Sequence, residues 1–179
     1  MIIPLKIRKI LMMKPFTRIL LNDKQYYLWC YFWLFGKIFS YKNPQGFNAK
    51  LQWLKWYHRI PELAGLADKY TVREYVRQRI GEIHLIPCYG VYESTNRIQW
   101  EKLPEKFVIK ATHGSGWNLV CTDKSRVDKR KALKKLDHWL NLNYYDLEKE
   151  WHYQFIPPRI ICEKLLESYG DPLLEVKVF

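Results

Sequence analysis

The chain has 179 residues, 48% of them hydrophobic and 16% aromatic, with 30 Lys and Arg against 18 Asp and Glu, a net charge of +12. That apolar content excludes an intrinsically disordered chain, and the length suits one domain with a sizeable core and is marginal for two. The excess positive charge calls for an anionic partner such as a nucleotide, an acidic polymer or a membrane face. No dense basic patch, zinc-finger spacing or basic-region heptad occurs, which argues against nucleic acid as the partner. Cys30, Cys88, Cys121 and Cys162 stand far apart, each in an apolar run, with no C-x-x-C. They are expected to be buried free thiols in a reducing compartment. None of the five His has ligand-like neighbours, so no metal site is expected from Cys and His.

Taken in order, Met1 to Leu21 mixes Lys6, Arg8, Lys9, Lys14 and Arg18 with apolar residues at roughly helical spacing. Tyr26 to Phe35, YYLWCYFWLF, is an uncharged aromatic run of about half the length needed to span a bilayer. No small-residue cleavage site follows it, which argues against a secretory signal. Two readings stay open for this run: a membrane-interface segment with basic flanks, or a helix buried against the domain and closed by Gly36 and Lys37. Residues 1–42 are therefore set apart as a basic, aromatic, helical segment.

Asn43-Pro44-Gln45-Gly46 reads as a turn. Asn48 is a candidate cap for a helix carrying Leu51, Trp53, Leu54, Trp56 and Tyr57, ended by Pro61. After Asp68, the spacing of Val72, Tyr75, Val76 and Ile80 predicts a second amphipathic helix with Gly81 as its C-terminal cap. Its Arg73, Glu74, Arg77 and Arg79 read as a solvated face. Leu85 to Tyr92 reads as a strand broken by Pro87. Asp128 starts a third helix with Ala132, Leu133, Leu136, Trp139 and Leu140 on one face and Lys129, Arg130, Lys131, Lys134 and Lys135 solvated. Tyr144 to Phe155 reads as an aromatic, polar loop. Arg159 to Leu166 and Leu173 to Phe179 read as strands, the last without a cap or polar run-out.

The stretch FVIKATHGSGWNLVCTD, Phe107 to Asp123, carries the most chemistry. Two apolar strands flank Lys110 and a Gly-rich turn that holds His113, Gly114, Ser115, Gly116 and Asn118. Glycine takes positive φ without steric cost, and successive exposed backbone N–H groups make an anion-binding concavity. A lysine at its mouth completes a plausible phosphate clamp. An ordinary β-hairpin explains the same residues. Neither G-x-x-x-x-G-K-[ST] nor G-x-G-x-x-G is present, and the turn leads into a strand, not a helix.

FNAKLQWLKWYHR (Phe47 to Arg59), ADKYTVREYV (Ala67 to Val76), IPCYGVYES (Ile86 to Ser94), KLPEKFVIKATHGSGWN (Lys102 to Asn118) and PPRIICEKLLE (Pro158 to Glu167) occur in an order that resembles the TupA-like branch of the ATP-grasp superfamily. The resemblance covers roughly residues 43–179. Its members are found in bacterial cell-surface polysaccharide loci and are often labelled glycosyltransferase. It implies an α+β fold, ATP-grasp-like: a first lobe and hinge with an antiparallel sheet, N-terminal helices, and an incomplete second lobe. It further implies ATP-dependent carboxylate–amine ligation through an acylphosphate, with charge on the triphosphate neutralised by lysines, backbone N–H groups and Mg²⁺.

By position, Lys110 resembles the strand lysine on the α- and β-phosphates, and His113, Gly114, Ser115, Gly116 and Asn118 resemble the lid over the β- and γ-phosphates. Lys69 resembles the first nucleotide-contacting lysine. Glu163, with the backbone of Lys164 and Leu165, resembles the adenine hinge, and Glu167 is a candidate for the ribose. A helix cap at Asp68 and an edge-strand salt bridge at Glu163 are the structural alternatives. The family's acidic Mg²⁺ ligands lie in a second lobe that this sequence does not reach, so the chain is expected to bind nucleotide at most. The resemblance also implies a glycan or lipid-linked glycan acceptor and a cytoplasmic location. The alternative is a non-catalytic basic module at the membrane face, touching anionic polymer or lipid through residues 1–42. A glycosyltransferase has little support, since no D-x-D occurs.

Overall fold

The computed structural model describes residues 15–167, and the expected last strand, Leu173 to Phe179, lies outside them. Among the described residues are seven α-helices and a four-stranded antiparallel sheet, an α+β fold. No helix among them is long and apolar enough to cross a membrane. The chain divides into two compact units, Met1–Asp68 with Asn143–Pro157, and Lys69–Leu142 with Pro158–Phe179.

The first unit is helical. It holds α1 (Pro15–Leu20), α2 (Asp23–Phe35), α3 (Phe47–Tyr57), α4 (Glu62–Ala67) and α7 (Tyr144–Glu148). Asn22 and Gln25 close a reciprocal capping box at the start of α2, and Gly36, at φ +69, caps its end with its N–H on the Phe32 carbonyl. The aromatic run is thus a helix. It buries Tyr26, Tyr27 and Tyr31 and leaves Phe32 and Phe35 exposed. Tyr31, Phe39 and Ala49 form a small core with Leu28 and Tyr41 against it.

Three details depart from the sequence reading. Helix α3 starts at Phe47, with Gly46 rather than Asn48 before it. The helix after Asp68 starts at Thr71, with Tyr70 rather than Asp68 immediately before it, and the Asp68 N–H closes α4 on the Ala64 carbonyl, 3.0 Å away. The segment read as a loop from Tyr144 to Phe155 holds α7 and a 3-10 turn, Trp151–Phe155, because the Asn143 side chain caps the Tyr145 N–H.

The second unit is built on the sheet, with strands β1 (Cys88–Tyr92), β2 (Phe107–Ala111), β3 (Asn118–Cys121) and β4 (Ile160–Lys164) in the order β1-β4-β2-β3. Side chains alternate across a strand, and the register sorts them. Ile109 lies opposite Leu119 and Cys162, and Phe107 opposite Cys121. This face packs on α6 (Lys129–Leu140) through Ala132, Leu136 and Trp139. Asp128 caps α6 by accepting the Lys131 N–H, as the sequence indicates. The five basic residues between Lys129 and Lys135 are exposed. The other face of the sheet carries Val108, Lys110, Ile161 and Glu163. Helix α5 (Thr71–Ile80) completes the unit, and Gly81, at φ +95, closes it with its N–H on the Arg77 carbonyl.

All four cysteines are free. Cys121 and Cys162 are buried, and burial pushes the Cys162 thiol up to about 12. Cys30 is half-buried, and Cys88 departs from expectation by being exposed. It lies on the edge strand β1, beside an irregularity in the register between Cys88 and Gly90.

Candidate functional site

Glu163 organises the open face of the sheet. It is 6% exposed and lies on β4, an interior strand between β1 and β2. An edge-strand salt bridge is therefore not what holds it. Val108 is its direct neighbour on β2, and Lys110 is the next residue along on the same face. That diagonal lets the Lys110 Nζ reach Glu163 Oε2 at 2.9 Å. From the first turn of α5, Arg73 Nη1 donates to Glu163 Oε1 at 2.7 Å, while its Nη2 donates to the Ile86 carbonyl at 2.6 Å. The Arg73 side chain is only 12% exposed, so the solvated face assigned to it from sequence is corrected.

The turn after β2 is held by backbone groups. Lys69 donates its Nζ to the Ala111 carbonyl at 3.0 Å and also to the Gly114 carbonyl. The Lys69 N–H donates to the Thr112 carbonyl, and the Thr112 N–H to the Arg159 carbonyl. Lys69 thus fixes the turn as well as charging it.

His113 is 2% exposed. Its Nδ1 accepts the Arg159 N–H at 3.3 Å, which leaves the proton on Nε2 to be donated to the Trp139 carbonyl at 2.9 Å. The ring braces the turn from inside, where a lid side chain would face outward. Trp117 packs edge-on to His113 and parallel to Trp139. Gly114 is buried beneath it, and a Cβ there would meet the Trp117 ring at 2.6 Å. Ser115 and Gly116 are exposed at the tip, Gly116 at φ +75. Asn118 is exposed at the start of β3, opposite Lys110.

Two cations, Arg73 and Lys110, therefore meet one carboxylate beside a Gly-containing turn that Lys69 ties down. The Arg73–Glu163–Lys110 cluster carries one net positive charge, and its low exposure strengthens that field. At the end of β4 the Lys164 N–H donates to the Pro87 carbonyl at 2.9 Å. The Lys164 side chain is exposed, Leu165 is half-buried, and Glu167 pairs with Lys106 at 2.8 Å. Among the described residues no group of three His, Cys, Asp or Glu could hold a metal ion.

Residues 49–179 match the family described as TupA-like ATPgrasp. The chain belongs to the TupA-like ATPgrasp family. The matched span contains Lys69, Arg73, Lys110, the turn and Glu163, and the chain covers the family's domain in part. No curated protein and no solved structure matches the chain.

Proposed function

We propose that the second unit binds ATP on the open face of its sheet, within a bacterial pathway of cell-surface polysaccharide assembly. The observation that carries this reading is the excess of cations over carboxylate around Glu163, next to a turn tied down by Lys69. Phosphates are expected to engage Lys110 and the backbone of Gly114, Ser115 and Gly116, with Asn118 beside them. Binding would draw Lys110 from Glu163, whose charge stays matched by Arg73. Glu163 and the backbone of Lys164 and Leu165 are the expected hinge for the base. Lys164 offers its carbonyl there, since its N–H is already taken by Pro87.

ATP, when bound, supplies the phosphoryl group that activates a carboxylate for attack by an amine. The chain's own residues hold and orient the nucleotide. The acceptor fitting this reading is a carboxylate on a glycan or lipid-linked glycan, and the net charge of +12 suits an acidic polymer. The location consistent with it is cytoplasmic, with peripheral contact at the inner membrane face through the basic, aromatic residues 1–42.

Isothermal titration with ATP, with and without Mg²⁺, tests the nucleotide reading. Saturable binding that weakens at least about tenfold in Lys110→Met supports it, since one charge-assisted contact to phosphate is worth about 1.5 kcal/mol or more. Equal affinity in wild type and variant would remove Lys110 from the site.

A further inference from the structure

The first unit presents an apolar surface that nothing among the described residues covers. From Gln25 to Phe35, α2 carries no charged residue. Tyr26, Tyr27 and Tyr31 bury one side of it. Elsewhere on the helix, Leu28, Trp29 and Phe32, with Leu21, Gln25 and Ile38, line an open groove of about 360 Å³. Ile38 is 73% exposed at this groove. Ile19 and Leu20, immediately before Leu21, are exposed as well. A helix that is apolar all round belongs between two apolar surroundings, and a contiguous exposed patch marks an interaction surface.

The charge of the same segment says what the second surrounding is. Residues 1–42 contain eight Lys and Arg and a single acidic residue, Asp23. Two of the eight are engaged inward: Arg18 pairs with Glu148, and Lys24 lies over the rings of Tyr41, Trp56 and Tyr57. Lys37 and Lys42 are exposed, and Lys6, Arg8, Lys9 and Lys14 precede α1 in the sequence. Apolar and aromatic side chains with a surplus of lysine and arginine match an anionic bilayer surface, where both attractions add. A second copy of the chain would bring the same positive charge against itself.

We propose that this face of the first unit seats on an anionic lipid surface, with Phe32 and Ile38 entering the acyl boundary and the exposed Lys37 and Lys42 meeting the headgroups. The inference deepens the peripheral location given above and is independent of nucleotide binding.

Co-sedimentation of the full chain with phosphatidylcholine vesicles, with and without phosphatidylglycerol, tests it. The paired substitutions Phe32→Glu and Ile38→Glu, both at exposed positions, are followed by circular dichroism to confirm folding and by sedimentation to give the oligomeric state. The expected result is binding to the phosphatidylglycerol vesicles that falls with salt and drops at least about tenfold in the folded double variant, since two charges would have to enter the acyl region. Undiminished binding by that variant would overturn the assigned surface while leaving a peripheral location standing. No binding by the wild type would overturn both. A wild-type dimer that the double variant dissolves would make a second copy the occupant and overturn the lipid assignment.

Discussion

Asp23 in the first unit and Glu163 in the second are both buried carboxylates, and the two are matched differently. In the first unit Asp23, 7% exposed, receives Arg59 Nη2 at 2.6 Å and the Tyr145 hydroxyl at 2.7 Å. One cation and one neutral phenol leave the cluster without net charge. Burial, and next the Asp23 carboxylate, push the Tyr145 phenol above its ordinary range, so it stays a donor. In the second unit Glu163 receives two cations, and Lys69 stands at the adjoining turn. A matched carboxylate is a strut. An over-matched one, with a cation to spare, is a place where an anion can bind. That difference makes the sheet, and not the helical unit, the candidate nucleotide site.

The largest expected effect comes from removing the carboxylate that restrains two cations. Glu163→Gln should lower unfolding free energy by about 3–5 kcal/mol, because it strands buried positive charge, read as a shift of the urea midpoint. Adding Arg73→Met should recover part of that loss; a double variant weaker than the single would contradict the assignment of Arg73 to this carboxylate. Asp23→Asn should cost less, about 1–3 kcal/mol, since Arg59 is left with a neutral acceptor and a single cation is stranded. If the two substitutions cost the same, the distinction between strut and over-matched site fails.

Gly116→Ala should cost about 1 kcal/mol through its positive φ alone, as no atom lies within 4 Å of the added methyl. Its melting temperature against wild type reads this.

His152 gives the smallest effect, and its sign is fixed. Burial lowers its pKa in the folded state, with the nearby Glu150 acting in the opposite sense. Stability from the neutral ring is thus complete above its unfolded value near pH 6.5 and is lost as pH falls through the lower folded one. Burial raises Glu148, which works against this trend. The readout is therefore the difference in pH dependence between wild type and His152→Gln, which should flatten the loss below pH 6.5.

Much of the sheet was legible in the sequence because alternation and turn chemistry are local. The β2–β3 hairpin, the Asp128 cap and the Gly81 closure follow from residues within a few positions of one another. Of the candidate site, motif order singles out Lys110 and Glu163, and the structure brings these two together. What was missed depends on contacts between residues far apart in sequence. Arg73 reads as one more solvated arginine until β4 brings Glu163 to it, 90 residues away. His113 reads as part of the Gly-rich turn until Trp139 and Arg159 take its two ring nitrogens. No periodicity announces either. Tyr144 to Phe155 lacked a helical apolar period because its two elements are each about one turn long.

The central claim is that the spare cation on the sheet, and not the matched one in the helical unit, serves a nucleotide. Thermal unfolding of wild type, Lys110→Met and Arg59→Met, each with and without ATP, tests it most directly. Wild type and Arg59→Met should both be stabilised by ATP, by about 2.7 kcal/mol at a hundredfold excess over Kd, and Lys110→Met should not. Stabilisation of Lys110→Met equal to that of the wild type would contradict the account.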